Sequence, residues 1–266
     1  LPQRALGLNL VLGRRLADVA VGVRARTSRQ DDPIGGGRRF LFFMPQGQAT
    51  LLGTWYTLAD SSDVPEARGK GIQALLEEFN AACPRARLAL SDVVGYHWGW
   101  LPLKAGAEPG RADALADRPR ILDHGRTGEA RNLISVEGVK YTTARRVAER
   151  AVDRVFTVLG RPSPPCRTAE VGLPAAGTAT ARERGALPSG EEILQAVRHE
   201  MAIKLTDIVF RRTGLGAAPG PDRSAVEAAA RVAGIELGWD PGYEQAEIES
   251  VMQHAGTLDP ATEAVG

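Results

Sequence analysis

The chain has 266 residues, a formal net charge of +1, 43% hydrophobic and 24% charged residues. That composition is ordinary for a soluble globular protein, and the near-zero charge implies no polyanion-binding surface. Cys83 and Cys166 stand far apart without CxxC spacing, so they form neither a disulfide framework nor a zinc site, and they fit a reducing compartment. No apolar run approaches the ~20 residues of a membrane-spanning helix, and no secretory signal pattern opens the chain. The first residue is Leu1, which suggests a piece of something longer.

Residues 2–19 place Leu6, Leu8, Leu10, Val11, Leu12 and Leu16 at a spacing that predicts an amphipathic helix. RTSRQDDPIGGG is polar and glycine-rich and reads as a loop. RRFLFFMP and ATLLGTWYT are apolar runs separated by Gln46-Gly47-Gln48, a hairpin signal. In the next segment Ile72, Leu75, Leu76 and Phe79 recur at helical spacing. LALSDVVGYHWGWLPL predicts one or two strands ending at Pro102, and 104–131, charged and punctuated by Gly and Pro, reads mostly as loop.

At 132–155, NLISVEGVKYTTARRVAERAVDRV predicts a strand, a turn and a helix. A strand running through Gly138 into a helix leaves free backbone N–H groups at the turn, which favour an anion or an electron-rich carbonyl. Lys140 adds a charge, and Thr142 and Thr143 add hydroxyls. The constellation suits a phosphate, a carboxylate or a cofactor ring; an N-capped turn with a solvated lysine is the plainer alternative. PSPPCRTAEVGLPAAGTATARERGALPSG is a linker by composition. Ser189, with Glu192 three positions on, predicts a capping box opening a helix with Leu194, Val197, Met201, Leu205 and Ile208 on one face. Glu200 with Lys204, and Asp207 with Arg211, form i,i+4 pairs on it. Helices over 222–237 and 241–254 follow, the latter with Pro241 in its first turn.

Several of these stretches, in order, resemble the FAD-dependent glycerol-3-phosphate dehydrogenases, flavoproteins of the D-amino-acid-oxidase-like superfamily. ISVEGVKYTTARRVAERAVDRV is similar to that family's strand, Gly-Gly-Lys-Leu-Thr-Thr-Tyr-Arg turn and helix. FLFFMPQGQATLLGTWYT resembles its strand, turn and Gly-Thr-Thr-Asp strand end, with Gly53 and Thr54 matching and Trp55 and Tyr56 departing. SDVVGYHWGWLPL resembles the strand ending Gly-Val-Arg-Pro-Leu, with Leu101 at the arginine. HEMAIKLTDIVFRRTGLG and AGIELGWD resemble the helical C-terminal domain.

The resemblance implies an α+β protein. Residues 1–165 are expected to hold a mixed-sheet substrate-binding region and a returning strand-turn-helix of the FAD domain. A linker at 166–188, a small all-α domain at 189–256 and a tail at 257–266 follow. The implied function is the C-terminal portion of a dehydrogenase oxidising a secondary alcohol, first of all sn-glycerol 3-phosphate to dihydroxyacetone phosphate, through FAD to a quinone or other acceptor. A stand-alone, non-catalytic remnant is the alternative.

Carried over position by position, Gly138, Val139, Lys140, Tyr141, Thr142 and Thr143 are expected at the cofactor. Lys140, Thr142, Arg118 and Arg120 are expected at the substrate, and Lys140 and His97 in catalysis. The strand, G-x-G-x-x-G turn and helix that hold FAD pyrophosphate in the family are not found, so an N-terminal FAD-binding half is an expected partner and the chain is expected to be inactive alone. A homodimer and a cytoplasmic location with peripheral contact at the inner membrane surface complete the expectation. The aromatics do not interleave with a basic stripe, which gives nucleic acid no support, and His97, His124, His199 and His254 lack metal-ligand spacing.

Overall fold

The computed structural model describes residues 4–26, 39–59, 64–104, 106, 114–128, 130–172, 187–216 and 220–256. Most of the RTSRQDDPIGGG loop, much of the linker and the tail lie outside them. The first unit is an antiparallel sheet of β1 (Arg4–Leu12), β2 (Val21–Arg24), β3 (Phe40–Gln46), β4 (Ala49–Ala59) and β5 (Val93–Pro102), in the order β2-β3-β4-β1-β5. The helix α1 (Val64–Ala82) packs on one face. The β3–β4 hairpin forms as expected around Gly47, whose φ of 62° is the left-handed conformation that a tight turn needs.

The α+β class expected from the sequence holds, with two corrections. The helix expected over 2–19 does not form at its described residues: β1 is the strand between β4 and β5, and Leu6, Leu8, Leu10, Val11 and Leu12 are all buried. A strand buried on both faces reads as a continuous apolar run without period-2 alternation, and such a run imitates a helical stripe. The sheet expected to be mixed is antiparallel at every described pairing.

Cross-strand pairing sorts side chains onto two faces. Leu8, Leu10 and Leu12 of β1 share the α1 face with Leu41, Leu52, Trp55 and Tyr96, against Ile72, Leu75, Leu76 and Phe79 of the helix. Each fully buried leucine there contributes roughly 1.5–3 kcal/mol. α1 approaches closely because residue 71 is glycine: a Cβ there would sit 2.7 Å from the Trp55 ring. Within this contact Arg39 and Glu78 form a bidentate ion pair, with side chains only 8% and 3% exposed, and Arg39 also donates to the Thr54 carbonyl at 2.9 Å.

Residues 104–131, expected as loop, contain β6 (Arg120–Asp123) and the short helix α2 (His124–Thr127). β6 pairs antiparallel with β7 (Ile134–Glu137) in a second, two-stranded sheet, followed by a 3₁₀ turn at Tyr141–Thr143 and α3 (Ala144–Val158). The strand, turn and helix read from the sequence therefore form, with a hairpin partner that the sequence did not announce.

The C-terminal unit has its own core, with Ile193, Leu205, Ile208, Val226, Ala230 and Val251 at its centre. α4 (Gly190–His199) opens on the expected capping box: Glu192 N donates to Ser189 Oγ at 3.3 Å, and Ser189 N donates to Glu192 Oε2 at 2.7 Å. The helix stops at His199 rather than running on, so Glu200 and Lys204 are not helical neighbours, and Met201 is 85% exposed with φ 58°. Ile193 and Ala196 carry the buried face instead. After α5 (Leu205–Asp207) comes a π-helical turn, Ile208–Arg212, where the Asp207–Arg211 pair does form at 2.7 Å. α6 (Arg223–Leu237) and α7 (Pro241–Gly256) complete the unit, and buried Glu247 accepts from Leu205 N at 2.7 Å, capping α5.

Truncating one partner of a buried ion pair strands the other's charge. Glu78→Ala is expected to lower unfolding stability by about 3–5 kcal/mol in urea titration, whereas Glu66→Ala, which removes an exposed pair with Lys70 on the same helix, leaves the midpoint in place.

Candidate functional site

Two places collect the expected residues. The first is the turn after β7. Glu137 closes the strand against Arg120, with Arg120 Nε 2.6 Å from Glu137 Oε2, so the charge of Arg120 is compensated at the mouth of the turn. Gly138 follows, exposed, and a Cβ there would meet nothing within 4 Å. Lys140 is exposed in an extended conformation, and its carbonyl accepts from Thr143 Oγ1 at 2.9 Å and Thr143 N at 3.2 Å. Thr143 is thereby held back toward Lys140 and places no side-chain cap on α3. The α3 N-terminus presents its dipole beside an exposed lysine, an arrangement suited to an anion or an electron-rich ring edge. Tyr141 is 96% exposed, and Arg145 turns aside to donate to Thr168 Oγ1 at 3.2 Å. Arg118 is exposed at the bend before β6, near the same end of the two-stranded sheet.

The second place is the sheet face opposite α1. Successive pairings set Gly22, Phe42, Gly53, Asn9 and His97 in one row across all five strands. Gly53 is required, because a Cβ there would lie 1.8 Å from Asn9 Oδ1. The register of β1 against β4 shifts between Leu8 and Asn9, which makes Thr54 an extra residue in β4, a bulge. Its hydroxyl donates to Asn9 Oδ1 at 2.7 Å. In the neighbouring row Tyr56, Gly7 and Gly99 stand opposite one another. Leu101, where the resemblance expects an arginine, lies over Gly7: its Cδ1 is 2.7 Å from the position a Cβ would take there.

His97 thus belongs to β5 of the large sheet, and Lys140 to the turn after β7 of the small one; they do not share an element. Although His97 is exposed overall, desolvation by its surroundings lowers its pKa below the ordinary 6.5. The imidazole is therefore neutral near pH 7 and able to accept a proton. Two of the other histidines make structural contacts: His124 Nε2 lies 2.9 Å from Ser135 Oγ, and the His254 ring is tilted against Phe210 with centroids 4.6 Å apart. Among the described residues no group of three or more His, Cys, Asp or Glu is arranged to hold a metal ion, and no helix is long and apolar enough to cross a membrane. Asn9 escaped sequence reasoning because its segment imitated a helix; the available signal was a lone polar residue inside a run of leucines.

Residues 127–244 match the C-terminal domain of alpha-glycerophosphate oxidase, a span that takes in the Gly138–Thr143 turn and most of the helical unit. Glycerol-3-phosphate dehydrogenase of Synechocystis sp. is 35% identical over 140 residues, covering 52% of this chain and 25% of that protein. Glycerol-3-phosphate dehydrogenase 1 of Mycobacterium bovis is 31% identical over 243 residues, covering 75% of this chain and 46% of that protein. The chain belongs to the glycerol-3-phosphate dehydrogenase family. It spans less than half the length of these two relatives. A solved glycerol-3-phosphate dehydrogenase from Bacillus halodurans, complexed with FAD, shares the fold at a TM-score of 0.58 and 20% identity, over 97% of this chain and 58% of that one.

The depressed pKa of His97 has a stability consequence. Between the unfolded value near 6.5 and the lower folded value, the unfolded chain binds more protons, so stability falls as pH falls through that window. The His97 ring resonances are expected to titrate with a midpoint below 6.5 in NMR, and His97→Gln should flatten the stability profile there.

Proposed function

We propose that this chain is the substrate-binding and C-terminal portion of a flavoprotein dehydrogenase that oxidises a secondary alcohol on a glycerol skeleton and passes electrons through FAD to a quinone or another acceptor. The observation that carries the reading is the turn after β7: an exposed glycine, an exposed lysine and a helix start without a side-chain cap, inside the segment matched to the alpha-glycerophosphate oxidase C-terminal domain. sn-Glycerol 3-phosphate, named by the relatives, is the reference substrate.

When bound, FAD supplies the ring that accepts hydride from the alcohol carbon. Gly138, Val139, Lys140, Tyr141, Thr142 and Thr143 would hold the edge of that ring. Gly138 permits close approach, and Lys140 with the α3 N-terminus favours negative charge there. Lys140, Thr142, Arg118 and Arg120 are assigned to the substrate, Arg120 with its charge already shared with Glu137. His97, neutral near pH 7, is assigned as the acceptor of the hydroxyl proton.

A FAD-binding half is the proposed partner, and α3 supports it. Val152, Val155 and Leu159 are 49%, 42% and 58% exposed on an apolar stripe wider than β6 and β7 cover. Such a stripe on a surface helix marks an interaction face. Contact with a membrane-held quinone is proposed as peripheral, at the inner surface, and a homodimer is proposed with it.

In the FAD-loaded protein that carries this chain, Lys140→Ala is expected to lower kcat/KM for alcohol oxidation by on the order of 100-fold, with flavin content unchanged. Unaltered kinetics would remove the role given to Lys140; lost flavin would make it a cofactor residue alone.

A further inference from the structure

Arg39 and Glu78 lie in the contact between α1 and the large sheet, on the side away from the face that carries His97. Their side chains are 8% and 3% exposed. A buried ion pair returns little stability compared with apolar residues of the same size, so the core alone does not account for one here. Arg39 Nε donates to Glu78 Oε1 at 3.0 Å and Arg39 Nη2 donates to Glu78 Oε2. The guanidinium is thereby fixed along one edge, and Nη1 is left for another acceptor. That acceptor is the Thr54 carbonyl, at 2.9 Å.

Thr54 is a place where β4 needs such a hold. The ladder between β3 and β4 runs from Gln46 opposite Ala49 to Phe42 opposite Gly53, and Thr54 lies just past its last rung. Toward β1 the same residue is the extra one of the bulge. Its peptide is therefore outside the regular pairing on both sides, and the Arg39 guanidinium ties it down. The Thr54 hydroxyl in turn donates to Asn9 Oδ1 at 2.7 Å. Gly53 provides the room, since a Cβ there would lie 1.8 Å from that oxygen. The Asn9 carboxamide is thus held with its oxygen over β4, on the face opposite α1. Asn9 stands directly opposite His97 in the β1–β5 register, and the Cβ atoms of such pairs are about 4.5–5.5 Å apart. A continuous set of hydrogen bonds runs from Glu78 on α1 through Arg39 and Thr54 to Asn9, from one face of the sheet to the other.

We propose that Arg39 and Glu78 are positioning residues: the ion pair fixes the Thr54 bulge and, through the Thr54 hydroxyl, sets the orientation of Asn9 beside His97. This rests on the dehydrogenase reading, in which His97 accepts the hydroxyl proton. The planar fork of an arginine is what the arrangement requires. An ammonium is a point charge on a flexible stem and does not hold a carboxylate along one edge and a carbonyl at the other.

The test has two readouts. In the isotopically labelled 266-residue chain, Arg39→Lys is expected to shift the Asn9 side-chain amide signals in NMR, as Thr54→Val does. Ile72→Val, which trims the same α1 core away from these hydrogen bonds, is expected to leave them in place. In the FAD-loaded protein that carries this chain, sn-glycerol 3-phosphate oxidation is measured well below the melting temperature. Arg39→Lys and Thr54→Val should each lower kcat by on the order of 10-fold, with KM and flavin content unchanged. Because both act through Asn9, the double variant is expected to lose no more than either single variant. A merely structural role for Arg39 makes the two losses multiply. That outcome, or Asn9 signals that do not respond to Arg39→Lys, overturns the proposal. The dehydrogenase reading fails differently: a wild-type FAD-loaded protein that oxidises no alcohol refutes it, and the Asn9 signals still decide whether the ion pair orients Asn9.

Discussion

β1 is hydrogen-bonded along both edges, to β4 and to β5, so two neighbours at once fix the face on which each of its side chains lies. A slip of one residue would move Leu8, Leu10 and Leu12 out of the α1 core and Asn9 into it, exchanging several buried leucines for one buried amide. The bulge at Thr54 is the local adjustment that this double pairing contains. It brings a hydroxyl to Asn9 while Trp55 remains on the core side. The place of Asn9 on the face opposite α1 is thus a consequence of how strongly the α1 face is specified.

The family's helical domain and its strand-turn-helix sit on different physical supports. The C-terminal unit is self-sufficient: its apolar residues face one another, its helix starts are capped, and Arg198–Glu236 and Arg223–Glu249 tie its helices outside the core. α3 is not self-sufficient, since only Val147 on it is buried. Val152 and Val155 on it are 49% and 42% exposed.

Local chemistry was legible in the sequence wherever one short-range interaction decides the structure. Gly47 announces its hairpin, Ser189 and Glu192 their cap, and Gly138 with Lys140 the turn before α3. What was not legible depends on residues distant in the chain. β1 imitates a helix because β4 and β5 on its two edges and α1 on one face, which bury it, all come later in the chain, and β6 hides among Gly, Pro and charge because its partner β7 supplies the other half of a very small sheet. Met201 fits the helical stripe on paper, yet the chain turns through a positive φ there so that Ala202 and Leu205 can enter the core. The candidate site divides the same way. The turn is local and readable, whereas the row from Gly22 to His97 exists only once five strands are in register.

The central claim is the proposal that the Gly138–Thr143 turn holds the edge of the flavin ring. A crystal structure of the FAD-loaded protein that carries this chain tests it most directly. The account predicts the flavin ring edge at Gly138–Thr143, with Lys140 beside it. A flavin lying away from the turn would contradict it.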